Sequence, residues 1–149
     1  MSIVIICDLP AELEALTEIA ADNGFEPLRG FTHPAAALDW CEKNTPRLVL
    51  VDFLMRASNG IEVIRQLRRI PGLRAVPLVL MLPHGFETVS AEAWRQGASE
   101  FLAKPVDPTE LCARLHNLLA LSAMLPQARP STRARRFERE SDARIPALH

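Results

Sequence analysis

Pro46-Arg47-Leu48-Val49-Leu50-Val51-Asp52-Phe53-Leu54-Met55-Arg56-Ala57-Ser58-Asn59-Gly60-Ile61-Glu62 is the stretch that decides the fold of this chain. Its Leu48-Val49-Leu50-Val51 run is continuously apolar, as expected of a strand buried on both faces. The run ends on a carboxylate, Asp52. A short loop leads to Gly60, after which Ile61, Ile64 and Leu67 recur at helical spacing until Pro71-Gly72 stops them. The stretch therefore predicts one β-α unit with a charge at the carboxyl end of its strand. Two further runs end the same way: Ile3-Val4-Ile5-Ile6-Cys7 on Asp8, and Glu100-Phe101-Leu102-Ala103 on Lys104.

The rest of the chain repeats the unit. A strand over about 2–7 precedes a helix with Pro10 in its first turn and Leu13, Leu16, Ile19 and Ala20 on one face, stopping at Gly24. A weak strand is expected over about 25–30, then a helix N-capped by Thr32 and running to about Asn44, with Leu38, Trp40 and Cys41 apolar. Val76–Leu82 reads as a fourth strand, 87–96 as a helix stopping at Gly97, and 99–103 as a fifth strand. Asp107-Pro108 caps a last helix carrying Leu111, Leu115, Leu118 and Leu119 and ending before Pro126. Five β-α units with short loops predict a doubly wound α/β fold, a five-stranded parallel sheet with helices on both faces. Sites in such sheets lie outside the carboxyl ends of the strands, near the switch point. Asp8, Asp52 and Lys104 would meet there. Two acids and an ammonium suit a divalent cation and a phosphoryl group.

Composition narrows the class. The chain has 149 residues, 48% apolar and 23% charged, which fits one globular domain with a tail. No apolar run approaches the roughly 18 residues of a membrane span. The start MSIVIICDLP lacks the pattern of a signal peptide, so a cytoplasmic location is expected. Cys7, Cys41 and Cys112 are scattered, without the spacing of a metal cluster or disulfide framework. Residues 126–149 carry six Arg against three acids, a net +3, while residues 1–125 carry 11 basic and 15 acidic residues, a net −4. The basic segment interleaves acids and has no helix-turn-helix pattern, so nucleic-acid binding is not expected. Of 17 basic residues only two are Lys, which makes an ammonium at 104 informative, since guanidinium is not interchangeable with it.

With these residues in place, the chain resembles the receiver domain of bacterial two-component response regulators. VLVDFLMRASNGIEVI is similar to the family's D-x-x-M-P-x-x-x-G pattern, and GASEFLAKPVDPTEL to its G-A-x-x-F-L-x-K-P segment. The resemblance implies a receiver domain over residues 1–122, leaving 123–149 as an Arg/Pro-rich tail or linker. It implies a flavodoxin-like fold with strand order 2-1-3-4-5. It also implies that Asp52 accepts a phosphoryl group, that Lys104 contacts that group, and that Asp8, Asp52 and the Leu54 carbonyl hold Mg²⁺. Phe101 falls at one of the family's switch positions. The partners implied are a histidine kinase or phosphotransfer protein, with a homodimer, an output domain or an effector protein as further expectations.

Three residues depart from the pattern. Cys7 stands where the first acid of a pair is usual, and a neutral, soft thiol predicts weakened Mg²⁺ binding. Leu82 ends the fourth strand where Ser or Thr is usual, removing a hydroxyl that couples the phosphoryl group to the next loop. His84 and Thr88 are the nearby candidates to replace it. Arg56 replaces a proline, and reads either as a solvated loop residue or as a built-in counter-ion of the acidic pocket. The resemblance sets Trp94, with Phe101 and the last helix, near the face that receivers use for pairing, although a Trp on a helix reads also as packing.

Three other functions compete with the signalling receiver. A pseudo-receiver would act as an interaction module without phosphorylation. A nucleotide- or flavin-binding domain fits poorly, because CDLPAELEA has no glycine to cradle phosphate. A metal-dependent hydrolase lacks a general base and a second-metal ligand set. The expectation is a signalling module rather than an enzyme.

Overall fold

The computed structural model describes residues 1–124. Its elements are β1 (Ile3–Ile6), α1 (Pro10–Asp22), β2 (Leu28–Phe31), α2 (Pro34–Lys43), β3 (Leu48–Asp52), α3 (Gly60–Arg68), β4 (Leu78–Leu82), α4 (Ser90–Gln96), β5 (Glu100–Ala103) and α5 (Pro108–Met124). The five strands form one parallel sheet in the order β2-β1-β3-β4-β5. This is the expected doubly wound, flavodoxin-like arrangement. The Arg/Pro-rich tail lies outside the described residues, apart from the end of α5. No described helix is long and apolar enough to cross a membrane.

Strand alternation divides the core in two. Ile3, Ile5, Leu48, Leu50, Val79, Met81 and Leu102 pack with Leu16 and Ala20 of α1 and Leu111 and Leu115 of α5. Their neighbours Val4, Ile6, Val49, Val51, Leu78, Leu80 and Leu82 pack with α2, α3 and α4 through Ala37, Cys41, Val63, Ile64, Leu67 and Ala93. Because side chains alternate with period two, both faces of β1, β3 and β4 must be apolar, which explains their unbroken runs.

Local chemistry sets the element ends. Asn59 caps α3 by accepting from the Glu62 N–H at 3.0 Å, and Asp107 accepts from the Glu110 N–H at 2.9 Å ahead of α5. Thr32 does not cap α2. His33 holds that position without a side-chain cap, and Thr32 Oγ1 lies 3.1 Å from His33 Nδ1 instead. The second strand starts later than expected, at Leu28, because Phe25 is buried under α5 against His116 and its N–H bonds the Ala20 carbonyl at the end of α1. The expected helix over 87–96 begins as a 3-10 turn, Glu87–Val89, before α4. Arg68 locks α3 to the start of β5. It donates to the carbonyls of Gly97, Leu73 and Val76 at 2.6–2.9 Å and to Ser99 Oγ at 3.1 Å.

Candidate functional site

Parallel register fixes which side chains meet at the carboxyl edge. Ile6 pairs with Val51, so Cys7 stands level with Asp52 on the neighbouring strand. Both follow the parity of Ile5 and Leu50 and therefore face α1 and α5. Cys7 Sγ reaches to 3.5 Å from Asp52 Oδ2. Asp8, one residue on, turns the other way, toward the loop after β3. Its Oδ2 accepts the Arg56 backbone N–H at 2.7 Å and lies 3.5 Å from Arg56 Nε. Asp8 is thus not the N-cap of α1, a position held by Leu9.

Asp52 is 1% exposed. Lys104 extends the β5 ladder by donating its N–H to the Leu82 carbonyl at 2.9 Å, and its side chain reaches back along the sheet edge. Its Nζ lies 3.1 Å from both carboxylate oxygens of Asp52. The Lys104-Pro105 peptide bond is cis. The sequence reading missed a third partner: Glu12, in the first turn of α1, places Oε2 2.6 Å from the same Nζ.

The charges of this cluster follow from its burial. Burial pushes the Asp52 carboxyl above its usual value, against the pull of the Lys104 ammonium, and the Glu12 charge adds to the rise. Burial pulls Lys104 down, but its bonds to Glu12 and Asp52 outweigh that and leave it raised, so the ammonium stays charged. Burial pushes the Cys7 thiol up to about 12, so it is neutral at pH 7.

The loop between Asp52 and α3 is folded by close backbone approach. Gly60 N–H donates to the Phe53 carbonyl at 2.8 Å. A Cβ at residue 60 would sit 2.5 Å from the Asp52 carbonyl oxygen and 2.9 Å from Phe53 Cα, so only glycine fits. Leu54 is half-exposed at the rim of this loop.

None of the remaining predicted positions makes a side-chain hydrogen bond or ion pair with Asp52, whose partners among the described residues are Cys7 and Lys104. Leu82 is buried in the apolar cluster under α3 and α4. His84 and Thr88 are exposed, the His84 side chain at 96%, with its Nδ1 3.8 Å from Glu87 Oε2. Phe101 is half-buried and meets Trp94 edge-on at 5.2 Å. The Arg56 side chain is 82% exposed, so both readings of it hold in part: it is solvated, and it faces Asp8.

Comparison with known proteins agrees with this fold. The family description of the response regulator receiver domain matches residues 3–116. The chain is 37% identical over 122 residues to the cyclic di-GMP phosphodiesterase response regulator RpfG of Xanthomonas campestris pv. campestris, a match covering 81% of the chain but 32% of RpfG. It is 30% identical over 118 residues to protein PilH of Pseudomonas aeruginosa, covering 79% of the chain and 97% of PilH. Its fold is that of a response regulator receiver domain protein from Clostridium thermocellum, with TM-score 0.77 at 21% identity over 84% of this chain and 98% of that one. With five parallel strands in receiver order and the family description matched from β1 into α5, the chain belongs to the response regulator receiver domain family of two-component systems.

Proposed function

We propose that this receiver accepts a phosphoryl group on Asp52 from a histidine kinase or phosphotransfer protein, with Mg²⁺ as cofactor. One observation carries the reading: the buried Asp52 carboxylate is held through both oxygens, at 3.1 Å, by the Lys104 ammonium at the carboxyl edge of the sheet. An Asp52 oxygen attacks phosphorus, the bond from phosphorus to the donor nitrogen breaks, and its electron pair leaves with the imidazole. The product is an acyl phosphate. Lys104, already charged and in reach, stabilises the equatorial phosphoryl oxygens as negative charge moves onto them.

The donor set fits a hard cation. Asp8 and Asp52 offer carboxylate oxygens and Leu54 a carbonyl oxygen, the ligand types that Mg²⁺ prefers. A bound divalent cation supplies neutralisation between the attacking carboxylate and the anionic phosphoryl group. Cys7 contributes soft sulfur and does not belong in that set.

A second reading is a pseudo-receiver that works as an interaction module without phosphorylation. Burial of Leu82 in the apolar core favours it, since no hydroxyl at 82 links Asp52 to the loop before α4. On either reading the protein acts in the cytoplasm as a signalling module. The exposed Trp94, met edge-on by the half-buried Phe101, is the proposed homodimer face, and an output domain or effector protein receives the signal. The residues after 122 serve as tail or linker.

Incubation with Mg²⁺ and acetyl phosphate, followed by intact mass, separates the two. One added phosphoryl group in the wild type and none in Asp52→Asn supports the phosphoacceptor. No adduct on folded wild-type protein supports the interaction module.

A further inference from the structure

Glu12 is a carboxylate that the strand-end pattern does not anticipate. Its ligand oxygen, an Asp52 oxygen and Cys7 Sγ all lie within 4.8 Å of one another. Asp8 Oδ2 is meanwhile engaged by the Arg56 N–H and guanidinium. The acid absent at Cys7 is matched by an acid approaching the same aspartate from the first turn of α1.

We propose that Glu12 is a ligand of the divalent cation that serves Asp52, supplying the carboxylate oxygen that Cys7 cannot. The inference deepens the reading of Asp52 as a cation-assisted phosphoacceptor and rests on it.

Two features of the pocket support this role. The first is donor chemistry. Beside Asp52 the cluster offers one hard oxygen donor, Glu12, and one soft sulfur, Cys7, and a cation of the Mg²⁺ type selects the oxygen. The second is charge and reach. Asp8, Glu12 and Asp52 are opposed by Lys104 and by an Arg56 side chain that is 82% exposed and therefore screened. The Glu12 side chain is 26% exposed and Lys104 18%, so their ion pair sits at the rim of the pocket. A rotamer change exchanges the ammonium for a cation at Glu12, and Lys104 keeps its two bonds to Asp52.

The bland alternative makes Glu12 a first-turn acid that complements the helix dipole and pairs with Lys104. It predicts that neutralising Glu12 leaves cation affinity unchanged or raises it. Calorimetric titration of the full chain with MgCl₂ separates the two. The wild type is compared with Glu12→Gln, and with Glu14→Gln as an exposed control on the same helix. Glu12→Gln is expected to weaken Mg²⁺ binding by about tenfold or more, the scale on which losing one group around a bound metal acts, while Glu14→Gln leaves it unchanged. Wild-type binding with no loss in Glu12→Gln overturns the role of Glu12 alone. No wild-type binding overturns both this role and the cation reading beneath it. If Glu12→Gln fails to fold, Mn²⁺ is added to wild-type protein and carboxyl carbon resonances are followed. Broadening at Glu12 comparable to that at Asp52 supports the proposal. Broadening no greater than at Glu14 overturns it.

Discussion

Cys7 Sγ lies 3.5 Å from Asp52 Oδ2, one residue past the end of the adjacent strand and at the same level of the sheet. A carboxylate at residue 7 would therefore abut Asp52. Cys7→Asp is expected to tighten Mg²⁺ binding by about tenfold or more and to make stability strongly dependent on Mg²⁺. Without the cation, two carboxylates at this distance repel, and the variant should unfold at lower urea than wild type. Urea titrations with and without Mg²⁺ check both arms. Equal midpoints for variant and wild type in both conditions would remove Cys7 from the account of the cation.

Asp52 carries the opposite liability. Its folded-state carboxyl is raised by burial, so the stability linked to its protonated form is full below the ordinary carboxylate value and is lost as pH rises through the raised one. At neutral pH the ionised group destabilises the fold. Asp52→Asn should therefore raise the melting temperature at pH 7, and the gain should vanish as pH falls below about 4. Thermal melts across that range test the sign. A variant less stable than wild type at pH 7 would mean that the Lys104 pair outweighs burial.

Gly60 holds the Asp52 loop against α3. Gly60→Ala would normally favour a helix start, but here the new Cβ meets the Asp52 and Phe53 backbone as well as the buried Leu80 side chain. A loss of about 1–3 kcal/mol in unfolding free energy is expected, as for overpacking of a closed core. Phosphorylation of Asp52 should slow as well, because the strain falls on the peptide that carries it. Denaturant midpoints and adduct formation measure the two effects, and a neutral outcome in both would contradict the close approach.

Leu82→Thr returns a hydroxyl to the end of β4. The exchange should cost about 1–3 kcal/mol of core packing. In return a hydrogen bond to a charged phosphoryl oxygen is worth about 1.5–3 kcal/mol. Hydrogen exchange across residues 83–90, before and after phosphorylation, is expected to change more in this variant than in wild type. An identical change in both would show that residue 82 does not limit the response.

The sheet was legible because β1, β3 and β4 are apolar runs closed by turns, and because the parallel direction of the strands brings Asp52 and Lys104 to one edge. Their pairing needed only the topology. Glu12 was not legible. In sequence it is an acidic residue in the first turn of a helix, where the helix dipole already accounts for it, and only the reach of the Lys104 side chain back to Asp52, beside the start of α1, brings the two together. Arg56 was legible as an alternative but not as an outcome. Its backbone N–H makes the shorter bond to Asp8 at 2.7 Å, and side-chain identity does not predict that contact. Thr32 misled because a hydroxyl ahead of an apolar pattern resembles a cap. Pro34 starts α2 one residue later than that cap would allow, leaving His33 at the boundary.

The proposed reaction makes Asp52 itself the acyl phosphate. After incubation with Mg²⁺ and acetyl phosphate, borohydride reduces an aspartyl phosphate to homoserine, and peptide mass spectrometry locates the residue. Homoserine is expected at position 52, dependent on Mg²⁺ and abolished in Lys104→Met. Label at another residue, or none on folded protein, would contradict it.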